Sequence, residues 1–275
     1  MKVIDNLIKR FKKIFFYYKY NFFRKIRILL KIDQKILING QELILPPNHL
    51  LSIYDYLYPK YDKFISKLVI NMKENESVID IGANIGDTLA RLINSNSKPK
   101  YYSIEADEYF FEYLKKNKEK IVSSTQNRIT LIKELVGMDL IGNLSDTTPG
   151  TKSLVESSDG FKTKKLDQII IEHNIKNIAL IKVDVDGYDY NVLLSGMNQI
   201  KKYKPILFFE YMSLNELGYT DLINKLHEIG YKNWTALNNY GEIIFENKSY
   251  TDILRLIKSG ETNKIYIDIF CKWEG

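Results

Sequence analysis

The chain has 275 residues, 45% hydrophobic and 27% charged, which is the balance of an ordinary globular protein of one large domain or one domain with a small appendage. Its net charge of +6 is uneven: residues 1–31 hold ten Lys/Arg against one acid, so the remainder carries −3 and does not read as a nucleic-acid-binding body. No apolar run reaches the ~18–20 residues of a membrane-spanning helix, no secretory leader is expected, and the single Cys271 and three scattered histidines exclude a disulfide framework and argue against a Cys- or His-based metal site.

The first segment, 1–32, is a basic arm in which aromatic and aliphatic residues alternate with Lys/Arg at helical spacing ("LIKRFKKIFFYYKYNFFRKIRILLKI", 7–32). Such a helix either lies on an anionic membrane surface or packs on the domain with its Lys/Arg on the wet side. Residues 33–70 form a cap: a hairpin turning at Asn39-Gly40, ended by Pro46-Pro47, then a helix over 50–70 that covers the mouth of the main domain. That main domain runs from 71 to 275, with strands at 77–81, 101–106, 129–136, 178–185, 205–210, 233–237, 242–246 and 264–273. Helices are expected at 85–94, 107–120, 164–174, 188–201, 213–229 and 250–259, with a polar connection over 139–163. Apolar strands alternating with helices predict an α/β fold with a mostly parallel sheet covered on both faces. The one cysteine fits a reducing cytoplasm, with the arm allowing a peripheral seat on the inner face of the membrane.

In such a sheet, ligands bind outside the carboxyl ends of the strands. The first of those ends is "VIDIGANIGDTLA" (78–90). A tight strand-to-helix turn needs positive φ, which Gly82, Asn84 and Gly86 tolerate, and Ala83 lies between them. A phosphate loop fails here for want of a Lys-Ser/Thr pair, and a dinucleotide fingerprint half fails because Asn84 and Asp87 replace two of its glycines. Asp80 and Asp87 would also repel a pyrophosphate. They suit a cationic cofactor without phosphate, of which S-adenosylmethionine is one. Glu105, followed by Ala106, ends the next strand and is placed to accept both hydroxyls of a ribose; an NAD ribose would be gripped the same way.

The second informative segment is "LIKVDVDGYDYNVLLSG" (180–196). Asp184 and Asp186 share one side of the strand end and are candidate general base, sulfonium stabiliser or divalent-metal ligands. Glu210, ending "PILFFE", is a third catalytic candidate. "DVDGY" also matches most of a phosphoaspartyl hydrolase motif, but that motif belongs on an early strand. A metal-dependent glycosyltransferase would use the D-x-D yet leave the glycine loop unexplained. A scaffold that keeps the fold without transferring a group is the non-enzyme alternative.

Together, "VIDIGANIGD", "YYSIEADEYFFEYLKKN", "GTKSL", "TKKLDQII", "ALIKVDVDGYDYNVLLSG" and "PILFFE" resemble the FkbM family of S-adenosylmethionine-dependent methyltransferases, over about residues 64–215. Two positions depart from the family pattern: Ala106 where Pro is frequent, and Asp186 where Glu is usual. The resemblance implies a Rossmann-like class I methyltransferase sheet of seven strands with the last antiparallel. It also implies Glu105 in the ribose-binding position and, usually, O-methylation. The acceptors it implies are sugars of surface polysaccharides, lipids or macrolide-like products. The expectation is an O-methyltransferase acting on a small-molecule or glycan hydroxyl, with Asp80, Gly82, Ala83, Asn84, Gly86, Glu105 and Ala106 at the cofactor. A divalent metal would fall to Asp184 and Asp186. The segments 50–70 and 139–163 are expected at the acceptor.

Overall fold

A computed structural model describes residues 2–93, 98–121, 125, 127–258 and 266–274; side chains are described from residue 11 onward. The arm is one helix, α1 (Lys2–Leu30), and the cap begins with a hairpin, β1 (Gln34–Ile38) and β2 (Gln41–Leu45). The expected helix over 50–70 is instead two short ones, α2 (Leu51–Leu57) and α3 (Ile65–Leu68). Pro59 removes a backbone donor, and Asp62 takes a left-handed φ of 52°, so the helix cannot run through.

The alternating elements then follow: β3 (Ser77–Ile81), α4 (Asp87–Ile93), β4 (Lys100–Ile104), α5 (Glu108–Lys120) and β5 (Ile129–Ile132). The polar stretch expected as a plain connection is a small three-stranded sheet of β6 (Ile141–Thr148), β7 (Thr151–Glu156) and β8 (Phe161–Lys162), ordered β7-β6-β8. Its β-branched residues suit strands, and Pro149-Gly150, with Gly150 at φ 104°, turns it back. Next come α6 (Leu166–Glu172), β9 (Ile178–Val183), α7 (Asp189–Leu194), α8 (Met197–Tyr203), β10 (Ile206–Tyr211), α9 (Glu216–Glu228), β11 (Tyr231–Asn238), β12 (Ile243–Lys248), α10 (Tyr250–Lys258) and β13 (Ile267–Trp273). The start of the expected last strand, at 264–265, lies outside the described residues, as do the last residues of the helices expected at 85–94 and 250–259.

The main sheet runs β12-β11-β13-β10-β9-β3-β4-β5. Strands β5, β4, β3, β9 and β10 are mutually parallel, and β13 is antiparallel to both β10 and β11. The expected seven strands are thus joined by an eighth, because β12 folds back on β11 and extends the edge. One face buries Ile79, Ile81, Ile181, Val183 and Phe209 under α6–α10; the other buries Val78, Leu180, Phe208 and Phe270 under α3 and α4. The β1–β2 hairpin shares a third cluster, Leu43 and Leu45 with Ile85, Phe110 and Tyr113 of the main domain. The far end of the chain also reaches the cap: Tyr240, in the β11–β12 turn, stacks on Tyr58 with ring centroids 4.2 Å apart. A Cβ on Gly241 would come within 2.1 Å of the Lys60 carbonyl oxygen, so this contact is backbone on backbone.

Candidate active site

The carboxyl ends of β3, β4 and β9 open into one cavity. Its floor is the turn after β3, where Gly82 (φ 79°), Asn84 (φ 48°) and Gly86 (φ 90°) all take the left-handed conformation that their side chains permit. The turn is pinned to the next strand because the N–H groups of Gly82 and Ala83 both donate to the Ile104 carbonyl at 3.0 Å. Gly82 is also indispensable sterically: a Cβ there would sit 1.9 Å from the Asp184 carbonyl oxygen.

Glu105 forms the wall beside that turn. Its Oε2 accepts the Asn84 N–H at 2.7 Å and its Oε1 accepts the Asp107 N–H at 2.8 Å. Burial raises its pKa to about 7 although these two donors work the other way. Each oxygen keeps a further lone pair for a ligand.

The third strand end brings Lys182, Asp184 and Asp186. The Lys182 ammonium lies 3.1 Å from Asp184 Oδ2 and 3.4 Å from Asp80 Oδ1. Burial works against its charge, but Asp184, Asp80, Asp62 and Asp87 outweigh burial and hold its pKa well above the ordinary lysine value. Asp184 is exposed in the cavity. Asp186 accepts from Thr147 Oγ1 at 3.3 Å, and burial, then the Asp184 charge, raises its pKa to about 6. Beneath them Asp189 is fully buried and accepts the N–H groups of Val185 and Glu210, which fixes the turn carrying Asp186.

Of the residues singled out in the sequence, Gly82, Asn84, Asp87, Glu105, Ala106, Asp184 and Asp186 line the cavity. Asp80, Ala83, Gly86 and Glu210 do not. Asp80 stands behind the turn against Lys182, with its pKa raised to about 6 by burial. Gly86 backs onto Leu114. Glu210 pairs in register with Asp268 on β13, and burial followed by the charges of Asp184 and Asp189 pushes its pKa well up. Among the described residues, no group of three or more His, Cys, Asp or Glu side chains is disposed to hold a metal ion.

Several lining residues had no motif to announce them. His49 is buried, and its Nδ1 accepts the Leu51 N–H at 3.1 Å. The proton therefore sits on Nε2, which donates to Asn84 Oδ1 at 3.3 Å. Burial lowers the His49 pKa, which keeps the ring neutral. Asn84 Nδ2 in turn donates to the Gly150 carbonyl at 2.8 Å, so residues 49, 84 and 150 are tied together. Tyr54, Tyr61, Asp62 and Tyr188 complete the wall with Leu144 and Leu154 of the small sheet. Tyr54, Tyr61, Asp62, Leu144 and Leu154 do fall within the segments 50–70 and 139–163 expected at the acceptor, and Lys182 left a trace of its own: a charge in the middle of an apolar buried strand, "ALIKVDV".

A parallel sheet extended by an antiparallel strand, with an acidic cavity at the carboxyl ends of its first strands, defines a class I methyltransferase fold. Residues 80–233 match the methyltransferase FkbM domain model, over half of the chain, and the chain belongs to that family. Its fold is similar to the crystal structure of methyltransferase FkbM from Methylobacillus flagellatus KT, with 18% identity over 78% of this chain and 50% of that one, TM-score 0.49. The chain thus spans about half the length of that protein. It is also similar to the Methanococcus jannaschii fibrillarin pre-rRNA processing protein (12% identity, 89% and 84% of the two chains, TM-score 0.45). A third similar structure is M. capricolum TrmK solved with S-adenosyl-homocysteine (12%, 78% and 67%, TM-score 0.45). No curated protein sequence matches the chain.

Proposed function

We propose that this methyltransferase uses S-adenosylmethionine and methylates a hydroxyl, with a sugar of a surface polysaccharide or glycolipid as the acceptor class. The observation that carries the cofactor is Glu105: a buried carboxylate on the cavity wall, oriented by two backbone N–H donors, with lone pairs left for a vicinal diol. The donor set fits the rest of that molecule. Six carboxylates and two lysines line the cavity, an excess of negative charge suited to a ligand carrying an ammonium and a sulfonium. Bound there, S-adenosylmethionine supplies an electrophilic methyl group for a single in-line displacement.

The residues of the chain have to hold an acceptor oxygen in line and take its proton. Asp186 suits proton removal, because Thr147 orients its carboxylate and a pKa of about 6 leaves it ionised at neutral pH yet basic enough to receive a proton. Asp184, held at 3.1 Å by Lys182, suits orientation of the incoming hydroxyl. Tyr54, Tyr61 and Tyr188 offer ring faces and hydroxyls to a polyhydroxylated acceptor.

Calorimetry with S-adenosylmethionine on the full chain and on Glu105→Gln, followed by transfer of labelled methyl to extracted cell-surface glycans, tests this reading. The substitution weakens two charge-assisted hydrogen bonds, an expected loss in affinity of about 100-fold. Absence of binding by the unmodified chain at millimolar cofactor overturns the cofactor assignment. Label appearing only on non-hydroxyl acceptors overturns the acceptor.

A further inference from the structure

The outward side of α1 is apolar. Phe11, Phe15, Tyr18, Phe22 and Leu29 recur at intervals of four, three, four and seven residues, which a helix gathers into one line. They are 69%, 71%, 70%, 62% and 80% exposed. The packed side is the opposite one. There Phe16 stacks on Tyr56 at 3.7 Å, Tyr20 is buried and donates to the His49 carbonyl at 2.5 Å, and Arg24 Nε donates to the Asn48 carbonyl at 3.0 Å. The usual arrangement of a surface helix, apolar side inward and polar side to water, is therefore not met. A line of four aromatic rings, taken up again two turns later by a leucine, goes beyond the scattered exposed apolar side chains of a typical surface.

Charge decides what covers this line. By helical position Lys12 and Lys19 flank it on one side and Lys25 on the other, all three exposed, and residues 6–32 contain no acid. A second copy of the chain packed along the same line would set these lysines against their own counterparts with nothing to balance them. A lipid surface with negative headgroups satisfies both features: rings enter the boundary of the acyl region while lysine ammoniums reach the headgroups. Among the described residues no helix is long and apolar enough to cross a membrane, so the helix would lie in the plane of the surface.

We propose that α1 seats the protein on an anionic lipid bilayer through Phe11, Phe15, Tyr18, Phe22 and Leu29, with Lys12, Lys19 and Lys25 on the headgroups. This seat does not depend on the methyl-transfer reading. Because Tyr20 and Arg24 fasten the helix to residues 48 and 49, and His49 lines the cavity, the seat sets the height and tilt of the cavity above the lipid.

Co-sedimentation of the full chain with vesicles of phosphatidylcholine alone, and of phosphatidylcholine mixed with phosphatidylglycerol, tests it. Two variants accompany it: Phe11→Ser with Phe15→Ser and Phe22→Ser, and Lys12→Glu with Lys19→Glu and Lys25→Glu. The unmodified chain is expected to partition onto the mixed vesicles at least about tenfold better than onto the neutral ones, and each variant to lose at least about tenfold. Thermal unfolding of both variants should match the parent, since the substituted side chains lie mostly in solvent. A parent chain that stays in the supernatant with the mixed vesicles overturns the proposal. So do variants that bind as well as the parent, and a parent dimer that the serine variant splits without either binding lipid.

Discussion

The cavity has two walls of different construction. The strand-end wall, from Gly82 to Asn84, Glu105 and Asp184 to Asp186, is made of short contiguous turns whose backbone leaves little choice of residue. The covering wall, from residues 49–62 and 140–154, is made of segments that meet only in three dimensions and are held by side-chain hydrogen bonds. The first kind of wall is rigid and suited to a ligand that does not vary. The second can change residue by residue without disturbing the sheet, and it is where acceptor choice is expected to reside. Asn84 is the seam, bonded to Glu105 through its backbone and to both covering segments through its amide.

The sharpest break in that contrast would be Gly82→Ala. A left-handed φ and a Cβ 1.9 Å from a backbone oxygen cannot both be relieved by side-chain movement. The expected cost is at least about 3 kcal/mol, a fall in Tm of roughly 6–12 °C with loss of cofactor binding. An unchanged Tm would mean the strand-end wall is as tolerant as the covering one.

A smaller effect is expected across the seam. His49→Phe keeps a ring of similar shape but leaves the Leu51 N–H and Asn84 Oδ1 without their partner, at about 1–2 kcal/mol. Cofactor affinity should fall about tenfold while the sheet stays folded, as read by calorimetry and circular dichroism. Equal affinity in the variant would show that the two walls are energetically separate.

The smallest effect concerns pH. Burial raises the folded-state pKa of Asp62 in the covering wall and of Asp189 beneath the strand ends to about 7, and of Asp80 to about 6, all above the unfolded value of 3.8. Groups shifted upward contribute stability that is complete below the unfolded value and is lost as pH rises through the folded one. His49, shifted downward by burial, works the other way but is a single group. Tm should therefore fall by a few degrees as pH rises from about 4 to 7, and level off above that. Asp62→Asn should remove only the covering wall's share of the slope; a slope that vanishes with that one change would place the whole effect in the cover.

The strand-end wall was legible in the sequence because its constraints are local. A strand, an acid and a Gly-x-Asn-x-Gly turn are consecutive, and all three turn positions took the conformation their residues imply. Glu105 followed from ending the next strand. Glu210 ends a strand too, but lies one strand further from the cavity than Asp184, and strand ends alone do not reveal which ones a cavity reaches. The partners of Lys182 come from residues 62, 80, 87 and 184, and those of His49 from 51 and 84; such sets exist only once the chain has folded. The small sheet over 141–162 was hidden by its polar composition, since one of its faces meets solvent. The eighth strand was visible as a strand, but its place at the edge of the main sheet depended on how the Asn238–Gly241 turn closed.

That turn has a consequence for the order in which the chain matures. The segment around Tyr58 and Lys60 leaves the ribosome early, while Tyr240 and Gly241, which abut it, emerge roughly 10–40 s later at ordinary elongation rates. The cavity roof consequently waits, incompletely docked, for the last strands, and nascent chains halted before residue 238 should be the species that chaperones hold.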